Sequence, residues 1–279
     1  MTIKIPVLPG QKSEILRLAN PTLSLDDASR QLPGGVYTTF RTYQKRYAIS
    51  LLDHFDRLEN SARLSGTVVS LDYERLRLEL RNALNLFDPA EARVRVSVDL
   101  TVKPGDVYLS LEELHTPSVE QYRDGVAVIT RKMHRENPVA KATNFILEAE
   151  KVRHEVDFQE INEVLMISED DHVLEGLSSN FFGIQNETLI TAEEGILPGI
   201  TRKMVIEIAH QLGYFVAYRN IRLGELSRLD EAFITSASRA ILPVTRINNR
   251  PVGTGKVGNI TRELQVAFQK NLDASLDLI

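Results

Sequence analysis

Hydrophobic and polar positions alternate along the chain in two rhythms, one suited to strands and one to helices. Residues 36–43 alternate β-branched and aromatic side chains with polar ones, Gln44-Lys45 can turn the chain, and residues 47–49 return, which predicts a hairpin. A helix is expected next. Leu51, Leu52, Phe55, Leu58 and Ala62 make its apolar stripe, and Ser50 with Asp53 resembles a capping box. On the other side His54, Arg57 and Ser61 fall three and seven residues apart, hence roughly in line. A second helix over about residues 72–86 precedes strands at 93–102 and 107–111, joined by the turn Lys103-Pro104-Gly105-Asp106. This part reads as a compact α+β unit.

Residues 115–124 are polar, turn-prone and without either period, which predicts a linker and a domain boundary between residues 118 and 119. Beyond it, residues 142–152 read as a helix. Short strands follow at 163–167, 173–174, 180–184 and 188–191, with turns at Asp170-Asp171 and Asn186-Glu187. Residues 201–212 form a clean amphipathic helix stopped by Gly213. Strands near 215–221 and 232–236, a hairpin through Asn248-Asn249-Arg250 and a last helix from about Ile260 complete the pattern.

With 279 residues and 43% hydrophobic content, the chain is long enough for two cores, 1–118 and 119–279. A net charge of -5 and a pI of about 5.8 offer nothing to a polyanion, so no nucleic acid partner is expected. The absence of cysteine excludes disulfides and thiolate chemistry and fits a reducing compartment. The apolar run within residues 1–9 is too short for a signal peptide or a membrane span, so a cytoplasmic protein without a membrane partner is expected.

Several chemical signals fail on context. Gly253-Thr254-Gly255-Lys256-Val257-Gly258 spells G-x-G-x-x-G, but too little chain follows for a βαβ unit, so it reads as a turn. The six histidines are scattered with no metal-ligand spacing, so no metal is expected. Three other segments, in fixed order, are more telling: Lys141-Ala142-Thr143-Asn144, Glu175-Gly176-Leu177-Ser178-Ser179-Asn180 and Leu197-Pro198-Gly199-Ile200-Thr201-Arg202. They offer an amine at a helix start, a carboxylate at a strand end, and a helix N-terminus whose free N–H groups suit an anion. A pyridoxal phosphate enzyme needs all three groups. For each, a plain reading stands beside this one: a surface lysine, a turn acid and an ordinary helix start.

Taken with Gly35-Val36-Tyr37-Thr38-Thr39, His54-Phe55-Asp56-Arg57-Leu58, Ser61-Ala62 and Lys256-Val257-Gly258, these segments resemble the class IV aminotransferases. That fold type IV pyridoxal phosphate family includes branched-chain aminotransferase, D-amino acid aminotransferase and 4-amino-4-deoxychorismate lyase. The resemblance implies an α/β (α+β) enzyme: a small N-terminal α+β domain, a larger C-terminal domain with a mixed, barrel-like sheet, and the cofactor at their interface. It implies Lys141 as the Schiff-base lysine and catalytic base, Glu175 as partner of the pyridine nitrogen, and Arg57 with the amides of Ile200 and Thr201 as the phosphate site. Ser236 and Ala237 would also touch the cofactor, and Tyr37, Arg95, Ser238 and Arg239 the substrate. Two positions depart from the family: Ala237 stands where a threonine is usual, and Arg239 replaces a small residue. The implied activity is transamination between an amino acid and a 2-keto acid by a homodimer. A lyase on aminodeoxychorismate and a catalytically silent pyridoxal phosphate binding protein are the alternatives.

Overall fold

The computed structural model describes residues 1–7, 11–20, 22–156 and 160–279; Leu8 and Pro9 of the N-terminal run lie outside them. The chain divides into two compact units, one of Met1–His115, Ala140–Glu150 and Asp273–Ile279, the other of Thr116–Val139 and Lys151–Leu272. By contact, then, residues 140–150 and the last turn of chain group with the first unit, where a single boundary near 118 would put them in the second.

In chain order the elements are β1 (Thr2–Ile5), β2 (Glu14–Ile15), α1 (Leu25–Arg30), β3 (Gly35–Arg41), β4 (Tyr47–Ile49), α2 (Leu51–Leu64), α3 (Tyr73–Phe87), β5 (Ala92–Asp99) and β6 (Val107–Glu113). They continue with α4 (Val119–Asp124), β7 (Val126–Lys132), α5 (Asn144–His154), β8 (Glu163–Ile167), β9 (His172–Gly176), β10 (Asn180–Gln185) and β11 (Thr188–Thr191). The remainder is α6 (Ile200–Gln211), β12 (Val216–Tyr218), β13 (Ile221–Arg222), β14 (Glu231–Ser236), β15 (Ala240–Ile247), β16 (Arg250–Pro251), α7 (Asn259–Asn271) and β17 (Leu276–Leu278).

The first unit is built on an antiparallel sheet in the order β2-β1-β6-β5-β3. Val36 and Phe40 of β3 and Val94, Val96 and Val98 of β5 meet Leu51, Phe55 and Leu58 of α2 and Leu76 and Leu80 of α3 in one buried core. Burying an aliphatic or aromatic side chain contributes about 1.5–3 kcal/mol, so this face fixes how α2 lies on β3. Leu52, counted in the apolar stripe, is exposed instead.

The expected hairpin shrinks to one bridge, Tyr43 to Tyr47, around Gln44 and Lys45, which take the left-handed conformation a tight turn requires. Strand β4 pairs with β17 instead. The same long-range contact replaces the expected Ser50 cap: Ser50 is left-handed with no side-chain cap bond, and the Leu51 N–H donates to Asp277 Oδ2 at 2.6 Å.

The second unit holds a mixed ten-stranded sheet in the order β12-β11-β10-β14-β15-β7-β8-β9-β13, with β16 on β15. Strands β9 and β10 stand far apart in that order yet are joined by only Leu177-Ser178-Ser179, so the sheet has to curl into a half-barrel. Its buried side includes Val128, Leu165, Phe181, Ile234, Leu242 and Val244.

Two sequence expectations are corrected here. The linker contains α4, a single six-residue helix too short to show a period, held by a capping box in which Ser118 and Gln121 exchange main-chain bonds. Strand β7, parallel to both β15 and β8, was not anticipated. Its Val126, Ala127 and Val128 are all buried, and burial on both faces erases the alternation that marks a strand.

Candidate active site

Lys141 does not sit on a helix. Helix α5 begins at Asn144, and the residues before it run along β3: Tyr37 N donates to Lys141 O at 2.8 Å, Thr143 N to Gly35 O at 2.8 Å, and Ala142 bridges Val36. Lys141 N donates in turn to Ser61 Oγ of α2 at 3.2 Å. The main chain of this lysine is thus pinned from both sides by sheet and helix, which replaces the expected dipole argument as the reason for its placement. Its ammonium lies 4.9 Å from the Tyr37 ring centre, a cation–π distance.

On the helix-facing side of β3, Thr38 is fully buried and bonded to His54 Nδ1 at 2.7 Å. Arg57 Nη2 donates to Thr38 Oγ1 at 2.5 Å and to His54 Nδ1 at 3.2 Å. Burial, then the charges of Arg57 and Lys141, push His54 well below its usual range, so it is neutral. Burial also pushes Arg57 down to about 10, against the opposing effects of Tyr37 and Asp53, and it remains a cation near neutrality.

On the other face of β3, Arg95 is buried with its guanidinium 4.7 Å from the Tyr37 ring centre. It donates to Leu25 O at 3.0 Å and Ser29 Oγ at 2.7 Å, and pairs with Asp26 at 2.8 Å, all on α1.

In the second unit Glu175 is buried on β9, where Arg135 Nε donates to Oε1 at 2.8 Å and Asn180 Nδ2 to Oε2 at 3.0 Å. Asn180 Nδ2 also donates to Leu197 O at 2.8 Å, so one amide links the carboxylate to the segment that opens α6. That helix starts at Ile200 behind Gly199, whose cap has no side-chain bond, so the N–H groups of Ile200 and Thr201 belong to its unpaired first turn. Arg202, one residue on, donates to Thr191 Oγ1 and Ala192 O and brings a cation to the same end.

Ser236 closes β14, and Ala237, Ser238 and Arg239 form a tight turn into β15, with Arg239 N donating to Ser236 O at 3.2 Å. The Arg239 guanidinium pairs with Glu163 at 2.7 Å and also meets Ser236 Oγ and Ser178 Oγ. Glu163 accepts from Ser178 and Ser179 as well, and although burial acts to raise it, the Arg239 charge and these bonds hold it below the usual carboxylate range.

The first unit therefore brings together Lys141, Arg57 and Tyr37, and the second Glu175 with the start of α6. Arg95 and Arg239, expected at a substrate carboxylate, are each engaged by a carboxylate of the protein. Sequence reasoning missed Arg135, Asn180, Thr38 and Glu163. Asn180 and Thr38 stood within segments singled out there without a role of their own, and Glu163 left a trace as a charged residue opening the apolar run Val-Leu-Met-Ile. The G-x-G-x-x-G segment is a turn ahead of α7, and Glu231 receives the Ile260 and Thr261 N–H groups at the start of that helix, where a nucleotide phosphate would have to bind.

These groups fit pyridoxal phosphate in kind. An amine, a buried carboxylate and two sources of anion donors are present, and Arg57 Nε is buried with no hydrogen-bond partner among the described residues, a donor left for an incoming oxygen. Thr235 Oγ1, at the end of β14 beside Asn180, is likewise buried and unbonded among them.

The sequence pattern of the amino-transferase class IV family matches residues 35–247. A probable branched-chain-amino-acid aminotransferase of Thermotoga maritima is 30% identical over 255 residues, spanning 88% of this chain and 90% of that protein. An aminodeoxychorismate lyase of Bacillus subtilis is 25% identical, covering 85% of each. Among solved structures, a putative branched-chain amino acid aminotransferase of T. maritima superposes with a TM-score of 0.77 at 27% identity, covering 96% of this chain and 95% of that one.

Proposed function

This chain belongs to the class IV aminotransferase family, and on that premise we propose that it moves an amino group between an amino acid and a 2-keto acid, with pyridoxal phosphate attached through Lys141. The observation that carries the reading is the main-chain pinning of Lys141 between β3 and α2, which holds an amine beside Tyr37 and close enough to His54 for its charge to act there.

When bound, the cofactor supplies an electron sink for the carbanion formed as a Cα–H bond breaks. The chain's residues do the rest. The Lys141 amine takes the α-proton from the substrate and returns it. Glu175, held by Arg135 and Asn180, keeps a proton at the ring nitrogen. Arg57 and the amides of Ile200 and Thr201 bind the phosphate. Ser236 and the main chain at Ala237 add donors, and Tyr37 and Ser238 border the substrate. We read the protein as a cytoplasmic homodimer whose first donors to try are branched-chain amino acids, a choice supported by its likeness to branched-chain aminotransferases.

A panel of L- and D-amino acids with 2-keto acid acceptors, scored by the keto acid released, tests the reading. Transfer in at least one pair, lost in Lys141→Ala, is expected. 4-Aminobenzoate from aminodeoxychorismate without amino transfer would favour the lyase, and cofactor binding without turnover on any substrate would make the chain a silent binding protein. An active Lys141→Ala protein would overturn the assignment of the lysine.

A further inference from the structure

The polar stripe of α2 has more in it than one phosphate ligand. Ser61 holds the main chain of Lys141, and Arg57 is the cation, but His54 and its partner Thr38 are so far without a task. The hydrogen-bond logic supplies one. A guanidinium only donates, so Thr38 Oγ1 must accept from Arg57 Nη2 at 2.5 Å, which leaves the hydroxyl hydrogen for His54 Nδ1 at 2.7 Å. His54 Nδ1 also receives Arg57 Nη2 at 3.2 Å. Two donors converge on one ring nitrogen, so that nitrogen carries no proton and the imidazole is neutral, in keeping with its burial.

We propose that Thr38 and His54 are positioning residues: together they grip one nitrogen of Arg57 with neutral acceptors, so that the rest of the guanidinium faces a phosphate. The proposal rests on reading Arg57 as a phosphate ligand. A long arginine side chain has many rotamers to lose on binding, and anchoring Nη2 in advance removes part of that cost. Neutral acceptors achieve this without cancelling the charge that the phosphate needs, as a carboxylate partner would. The unbonded, buried Nε is the complement of that arrangement. Thr38 sits at the centre of β3 and His54 on the first turns of α2, both buried, so the anchor is as rigid as the core between them.

The test titrates cofactor-free protein with pyridoxal phosphate and, in competition, with inorganic phosphate, following bound ligand by fluorescence. Arg57→Ala sets the full loss. Thr38→Val and His54→Leu, which remove the acceptors, should each raise the dissociation constant for both ligands about 10-fold or more, since each lost bond has a charged partner. Thr38→Ser and His54→Asn, which keep an acceptor in place, should stay within about threefold. In an Arg57→Ala background Thr38→Val and His54→Leu should change nothing further. Weakening by the same factor in that background would make the pair merely structural and overturn the proposal, as would unchanged binding in the single variants. If Arg57→Ala itself binds both ligands normally, the phosphate reading of Arg57 fails and the proposal falls with it. The sheet pair and the helix pair are independent, so either one decides if the other does not fold.

Discussion

Replacing Gly199 by alanine adds a single methyl group where the Asn180 amide joins Glu175 to the start of α6. The backbone there (φ -72°, ψ 140°) suits alanine, so strain in the chain itself is not the issue. A Cβ at this position would instead overlap Asn180 Oδ1 and lie 3.3 Å from its Cγ, and the Asn180 amide is not free to swing away. Its Nδ2 donates to Glu175 Oε2 and Leu197 O, and both bonds break if the amide rotates. A bond to a charged acceptor contributes about 1.5–3 kcal/mol and a neutral one about 1, so the loss should be about 2.5–4 kcal/mol. Thermal unfolding of Gly199→Ala, Asn180→Ala and the double variant measures it as a cycle. In the Asn180→Ala background the obstacle and both bonds are already gone, and Gly199→Ala should then cost only the helix-cap difference, about 1 kcal/mol. The two substitutions should therefore couple by at least about 2 kcal/mol. Additivity within about 0.5 kcal/mol would refute the claim that Gly199 is glycine because of Asn180.

Glu175→Gln leaves Arg135 buried opposite a neutral amide, which should cost about 3–5 kcal/mol of stability and most of the turnover; a variant with the melting temperature and rate of the parent would reduce Glu175 to a turn residue. His54 is held neutral with its pKa below 6.5, so below about pH 6.5 the unfolded chain binds the extra proton and stability rises with pH, by up to about 1.4 kcal/mol per unit from this group. Urea unfolding between about pH 5 and 7.5 should show that slope flattened in His54→Asn, and parallel curves would show that His54 is protonated in the fold. Arg239→Ala should lower the melting temperature by leaving the buried Glu163 carboxylate without its ion-pair partner, with a smaller effect on the KM for amino acids; a large KM increase at unchanged melting temperature would restore Arg239 as a substrate ligand.

Much of this was legible in the residues because periodicity reports burial. The helices beginning near 51, 72 and 201 and the strands at 163, 180 and 188 lie within a few residues of where the pattern put them, and Gln44-Lys45, Asn186-Glu187 and Asn248-Asn249 turn with positive φ as such pairs do. What escaped depends on residues far apart in the chain. Nothing local says that Ala142 will bridge Val36 rather than begin a helix, or that Asp277 will cap α2 in place of Ser50. The candidate site divides in the same way. Lys141, Glu175 and the start of α6 are carried by local motifs, whereas Arg135, Asn180 and Glu163 owe their positions to partners that only the folded sheet supplies.

The two arginines expected at a substrate are each already paired with a carboxylate of the protein. Arg95 is bound to three residues of α1, one of them Asp26, and its guanidinium lies by Tyr37. Its charge is therefore spent on holding α1 and the ring in place. Arg239 is tied to a carboxylate more deeply buried still. Recruiting it for a substrate would strand Glu163, at a cost of about 3–5 kcal/mol, more than a charge-assisted bond to the substrate returns. What Arg239 does instead is join the Ala237–Ser238 turn directly to Ser178, and through Glu163 to Ser179, in the link from β9 to β10 just beyond Glu175. Arg239 thus ties together the frame of the second unit.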